Sequence, residues 1–147
     1  ASIRVDIDGL PVGIGEPQFR KLQALLAQAM FSINAVKGFE YGEGVNAASM
    51  RGSECNDEFV NSNGKIICKT NHSGGIQGGI SNGEKVYFSV AFKPIPTIMR
   101  SQHSVDINGN EVLYDMEGRH DVCVIPRVIP IVEALTAMVI VDLWCHK

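Results

Sequence analysis

The chain has 147 residues, 45% of them apolar and 20% charged, with 15 glycines and a net charge of −3 at pH 7. That length supports one ordinary domain around one core, and the composition excludes disordered and fibrous classes. The acidic balance gives no general attraction to nucleic acid or anionic lipid.

In chain order, Ser2 to Asp8 alternates Ile3, Val5 and Ile7 with polar neighbours, the period of a half-buried strand. Gly13 and Gly15 break it, and Glu16-Pro17 then marks a helix start, because proline suits the first helical position. Phe19, Leu22, Leu25, Leu26, Ala29, Met30 and Ile33 recur at three and four, predicting a helix to about Ile33 whose apolar stripe is core. Val36 to Tyr41 reads as a strand and Gly42 to Glu58 as a polar surface loop. Asn63-Gly64 predicts a hairpin between Phe59-Val60 and Ile66 to Cys68. Asn108-Gly109 predicts another between Ser104 to Ile107 and Glu111 to Tyr114. Lys85 to Phe92 points Val86, Phe88, Val90 and Phe92 inward, and Pro94 and Pro96 prevent further pairing.

Val122 to Trp144 is rich in Val, Ile, Leu and Met, but Arg127, Glu133 and Asp142 interrupt it and Pro126 and Pro130 restrict its early turns. A helix buried inside a protein is expected there, not a membrane span. No repeat and no linker divides the chain, so residues 1–147 read as a single α+β domain. Ala1 to Val5 lacks the charged and apolar regions of a secretion signal, which points to the cytoplasm. A start without methionine, almost directly in a strand, is what a cut inside a longer protein leaves.

Three segments have the residue types that chemistry needs. Asn71 to Gly83 (NHSGGIQGGISNG) carries Gly74, Gly75, Gly78, Gly79 and Gly83, so its backbone can take positive dihedrals and bring amides close to a ligand, or simply turn between strands. It fits neither the dinucleotide fingerprint nor a P-loop. Lys93 stands at a strand's end as a cation that is either solvated or presented to an anion. Arg119-His120-Asp121 places three ionisable side chains just before the apolar helix, where they line a site or form an ion pair capping that helix. Cys55, Cys68, Cys123 and Cys145 are widely spaced and read as reduced structural thiols. A metal would need His120 and Cys123 with Cys145 and His146, a spacing that matches no standard ligand set, and none is expected.

Taken in order and spacing, Asn34-Ala35-Val36-Lys37-Gly38, Met50-Arg51-Gly52-Ser53-Glu54, the glycine-rich segment, Ala91-Phe92-Lys93-Pro94 and Gly118 to Val124 (GRHDVCV) resemble the chorismate synthase family. The likeness runs from about Gly13 onward. It implies the carboxyl-terminal portion of a β-α-β sandwich, with mixed and antiparallel strands packed on long helices. It implies a cytoplasmic, homotetrameric lyase of the shikimate pathway that eliminates phosphate from 5-enolpyruvylshikimate 3-phosphate to give chorismate, with reduced FMN (FMNH2) as cofactor. Asp121 and Arg119 then match the family's catalytic positions. Gly78, Lys93, Pro94, Ile95, Pro96, Thr97 and Arg119 match its flavin contacts, as do Asn34 and Ala35; His120 receives no catalytic step.

Val122 replaces the family's usual proline, Ile95 and Pro96 replace small polar residues, and Cys55 stands where a polar residue is commoner. The resemblance also implies that the amino-terminal half of the active site is missing, so that this stretch alone is inactive. Two other readings stand beside it: a divergent assembly module without catalysis, and an RNA-clamping G-x-x-G loop at Gly75 to Gly78.

Overall fold

The computed structural model describes residues 1–116, 118, 119 and 121–146. Its centre is a three-stranded antiparallel sheet in which β7 (Val86–Phe92) lies between β1 (Ser2–Ile7) and β2 (Val36–Tyr41). Register opposes Ile3 to Val90, Val5 to Phe88 and Ile7 to Val86, which puts these six apolar side chains on one face. A register shift between Val36 and Gly38 lets both Val36 and Phe39 meet that face although they are three residues apart. The other face carries Arg4, Ser89 and Glu40 in one row, with the Arg4 guanidinium 4.4 Å from the centre of the Tyr87 ring.

Two helices cover the apolar face. In α1 (Leu22–Phe31), Leu22, Leu26 and Met30 are wholly buried at spacings of four. In α3 (Ile125–Cys145), Val128, Val132, Thr136 and Leu143 turn inward. The Thr136 hydroxyl satisfies its burial by donating to the Val132 carbonyl at 2.7 Å. With Val86, Phe88 and Val90 these residues form the core, and each large apolar side chain so buried contributes about 1.5–3 kcal/mol.

Three expectations need correction. The first helix begins at Leu22, not near Pro17, because Glu16 N–H donates to the Arg20 carbonyl and Arg20 N–H to that of Gln18, closing a tight loop with Phe19 at φ 62°. Phe19 therefore leaves the stripe and stands 88% exposed. Leu22 N–H, an orphan donor at the new helix start, is taken by the Gly79 carbonyl at 2.8 Å. The stretch expected as a polar surface loop holds a 3-10 turn at Gly44–Ser49 and a short helix, α2 (Gly52–Cys55), whose Glu54 carboxylate accepts from the Arg51 amide.

The third correction concerns α3, which is not buried as a whole. Ile129, Ile131, Met138, Val141 and Trp144 are 41–65% exposed. The helix is long and apolar enough to cross a membrane by length and composition, but one flank is docked on α1 and the sheet, and Asp142 pairs with Arg20 at 2.6 Å.

The expected hairpins form as β3 (Phe59–Ser62) with β4 (Lys65–Cys68), and β8 (Gln102–Val105) with β9 (Glu111–Tyr114). The glycine-rich segment folds as a small hairpin of β5 (Ile76–Gln77) and β6 (Ile80–Ser81). It is packed tightly against its surroundings. Ser81 accepts from the Ile14 amide and donates to the Pro11 carbonyl, and a side chain on Gly75 would meet the Lys85 carbonyl at 2.6 Å.

Candidate functional site

The far end of α1 builds one wall of a cleft. Ile33 N–H donates back to Met30 and Val36 N–H to Ile33, so the chain turns at once into β2. The turn forces Ala35 to φ 72°, a left-handed conformation that costs a residue with a Cβ roughly 1–2 kcal/mol. Lys93, one residue past β7, fixes that strained turn by donating its amide to the Ala35 carbonyl at 2.9 Å.

The opposite wall is the start of α3. Asn34, Ala35, Asp121, Val124, Arg127 and Val128 are among the residues lining a cleft of about 540 Å³ between the two helices. Its surface is mainly aliphatic, and the one carboxylate among the described residues that line it, on Asp121, pairs with the Arg127 guanidinium at 2.7 Å. A smaller cleft of about 190 Å³ adjoins it, lined by Lys93, Pro94 and Ile95 on one side and Val122 to Ile125 on the other, with Val124 common to both. A flat ring with a polar edge suits the first cleft, and an anionic tail suits the exposed ammonium of Lys93.

The structure thus brings Asn34, Ala35, Lys93, Pro94, Ile95 and Asp121 to one corner. Pro96 is exposed and Thr97 half-buried, and Arg119 is exposed; these three line neither cleft. His120 lies outside the described residues. Gly78 is at the other end of α1, in the turn beside the Gly79 carbonyl that caps Leu22, and a side chain there would meet nothing within 4 Å. Of the suggested metal ligands, Cys123 precedes α3 and Cys145 ends it, and 21 helical residues separate such positions by about 30 Å.

Sequence reasoning assigns neither Arg127 nor Asp57, an acid of the Gly42 to Glu58 surface loop, to a site. Asp57 anchors a second cavity, of about 380 Å³, lined by Phe39, Tyr41, Val45, Cys55, His72 and Ser73 among others. Its side chain is 1% exposed, and it accepts from the amides of His72 (2.8 Å) and Ser73 (2.9 Å) and the hydroxyl of Thr70 (2.7 Å). Burial alone would raise the carboxyl, but these donors, led by the Ser73 amide, win and hold it at about 2, against an ordinary 3.8. Because the folded value is the lower one, Asp57 contributes stability above pH 4 that disappears as pH falls from about 4 to about 2. Asp57→Asn is expected to destabilise the fold by about 2 kcal/mol at pH 7, with the gap to wild type narrowing toward pH 2 in urea titrations. A gap that is constant with pH contradicts this.

A family model described as chorismate synthase matches residues 1–145. The chain belongs to the chorismate synthase family. Chorismate synthases of Parabacteroides distasonis and Phocaeicola vulgatus are 59% identical over 134 residues and 56% identical over 138 residues. These matches cover 91% and 94% of this chain, but 37% and 38% of the relatives. That of Opitutus terrae is 51% identical across 99% of this chain and 40% of its own. A chorismate synthase crystal structure superposes with a TM-score of 0.79 at 33% identity, covering 99% of this chain and 37% of that one. The chain therefore spans about two fifths of the length of the chorismate synthases it matches, and its α+β fold is that of the corresponding part.

Proposed function

We propose that the complete protein to which these residues belong is a cytoplasmic chorismate synthase, eliminating phosphate from 5-enolpyruvylshikimate 3-phosphate, and that residues 1–147 are its carboxyl-terminal domain. The observation that carries this reading is the meeting of Asn34-Ala35, Lys93 to Ile95 and Asp121 at one corner of the fold. Those are segments in which the chain resembles the family's flavin site, and they converge although 86 positions separate the first from the last.

The residues fit reduced FMN. A mainly aliphatic cleft with an amide and a carboxylate at its edge accepts a ring system, and Lys93 offers a cation to its phosphate. When bound, reduced FMN supplies electron density to the substrate as phosphate departs and a ring proton is lost. This chain's own part is to hold, orient and keep dry. The Asn34-Ala35 turn, braced by the Lys93 amide, fixes one wall; Val124 and Val128 exclude water; Asp121 stands ready to hold a proton beside the reacting centre. Arg119, outside the cleft here, is assigned to the substrate or cofactor once the rest of the site is in place, because a guanidinium pairs with carboxylate or phosphate at two points.

The exposed flank of α3 supports the same reading. Large apolar side chains this open are covered in the working protein, and we assign the cover to the remainder of the polypeptide within a tetrameric assembly. Incubating the full-length protein anaerobically with 5-enolpyruvylshikimate 3-phosphate and reduced FMN is expected to release chorismate and phosphate in equal amounts. Folded, full-length protein that releases neither contradicts the proposal.

A further inference from the structure

We infer that Arg127 is the positioning residue for Asp121, fixing that carboxylate at the cleft from the first turn of α3. The inference rests on the reading of Asp121 given above. Asp121 lies in irregular backbone four residues before α3 begins, and no backbone hydrogen bond among the described residues fixes it there. Its side chain is 37% exposed, and its one described partner is the guanidinium of Arg127, with Nη1 2.7 Å from Oδ2. Left alone, a carboxylate on such a segment samples many rotamers and turns toward water.

Arg127 is placed to prevent that. It is the third residue of α3, and Val128 and Val132, next to it and one turn on, are 8% and 0% exposed and lock the helix into the core. Arg127 N–H also donates to the Val124 carbonyl at 3.0 Å, so its backbone is fixed although its side chain is 73% exposed. A rigid element thus carries the cation, and the cation holds the carboxylate of an irregular segment at the cleft that both line. Among the described residues the guanidinium engages Asp121 through one nitrogen, and its other N–H groups give it further ways to keep that geometry while the carboxylate serves another partner. An ammonium in its place keeps the charge but loses the planar fork.

The test is a double-mutant cycle in the full-length protein, assayed anaerobically with reduced FMN. Arg127→Gln is expected to lower kcat about 10–100-fold with KM changed less than about 3-fold, as misplacement of a reacting group does. Arg127→Lys is expected to recover most of that loss, and Arg127→Gln added to Asp121→Asn to lower the rate no further. Melting temperatures move by no more than a few degrees, since so exposed a pair adds little to folding. Unchanged kcat in Arg127→Gln, or losses that multiply in the double variant, overturns the role of Arg127 while leaving that of Asp121 intact. Full activity in Asp121→Asn overturns the Asp121 reading itself.

Discussion

Asp121→Asn in the full-length protein is expected to lower kcat for chorismate formation about 10²–10⁴-fold, the range that a positioned proton acceptor or donor contributes. Asparagine keeps the size and planarity of the side chain, so the cleft between the ends of α1 and α3 keeps its shape and reduced FMN is expected to bind with nearly unchanged affinity. What disappears is the charge. The Arg127 guanidinium loses its partner but stays hydrated at 73% exposure, so folding loses no more than about 1 kcal/mol. A large fall in kcat beside an intact melting temperature and an intact flavin titration therefore isolates a chemical role. An Asp121→Asn enzyme within 3-fold of wild type sinks the assignment.

The largest stability effect is expected at Gly42. It follows β2 at φ 57°, donates its amide to the Tyr87 carbonyl at 3.2 Å, and presses against the His72 to Gly74 backbone. A Cβ there would collide with the His72 carbonyl oxygen and stand 2.8 Å from the Ser73 carbonyl carbon. Neither can retreat, because Asp57 binds both amides of that pair and Asn71 grips the loop on each side, accepting from Gly75 N–H and donating to the Lys85 carbonyl. Backbone strain of about 1–2 kcal/mol and overpacking of about 1–3 kcal/mol act together in Gly42→Ala. Gly64→Ala is the matched comparison, since Gly64 has φ 83° but open space around it and suffers the strain alone. Urea unfolding is expected to separate the two by at least about 1 kcal/mol, with Gly42→Ala the weaker; equal midpoints contradict the packing account.

The glycine loop shows where sequence reading worked and where it stopped. Five glycines in Asn71 to Gly83 announce backbone freedom, and freedom serves a ligand or a close approach equally well. The fold uses Gly74, Gly75 and Gly79 for close approach, to Gly42, Lys85 and Glu16 respectively, which no local pattern reveals because the neighbours are distant in sequence. Strand β7 was legible because its period of two and its burial on one face are local facts, and the two Asn-Gly hairpins because their turn chemistry is. The start of α1 was not, since Pro17 and a well-spaced Phe19 mimic a first turn, while the Gly79 carbonyl that caps Leu22 arrives from the hairpin.

The same division runs through the site. Family resemblance points to Asn34, Ala35, Lys93 and Asp121, and the geometry gathers them at one corner. In the sequence Arg127 is only a charge that interrupts an apolar helix; its partner lies six residues back across an irregular segment, a separation for which helical spacing makes no prediction. Asp57 stands in a stretch that reads as a polar surface loop, and its burial depends on Thr70, His72 and Ser73 folding over it. The exposure of α3 was illegible because hydropathy measures the need for a cover and says nothing about which chain segment supplies it.

The central claim, that the corner formed by Asn34-Ala35, Lys93 and Asp121 is one wall of a flavin site, is tested most directly by a crystal structure of the full-length protein with FMN. The account predicts the ring system against Ala35 and Val124 with Asp121 at its edge, and the phosphate within reach of Lys93. A flavin bound elsewhere, with this corner filled by the protein's own side chains, would contradict it.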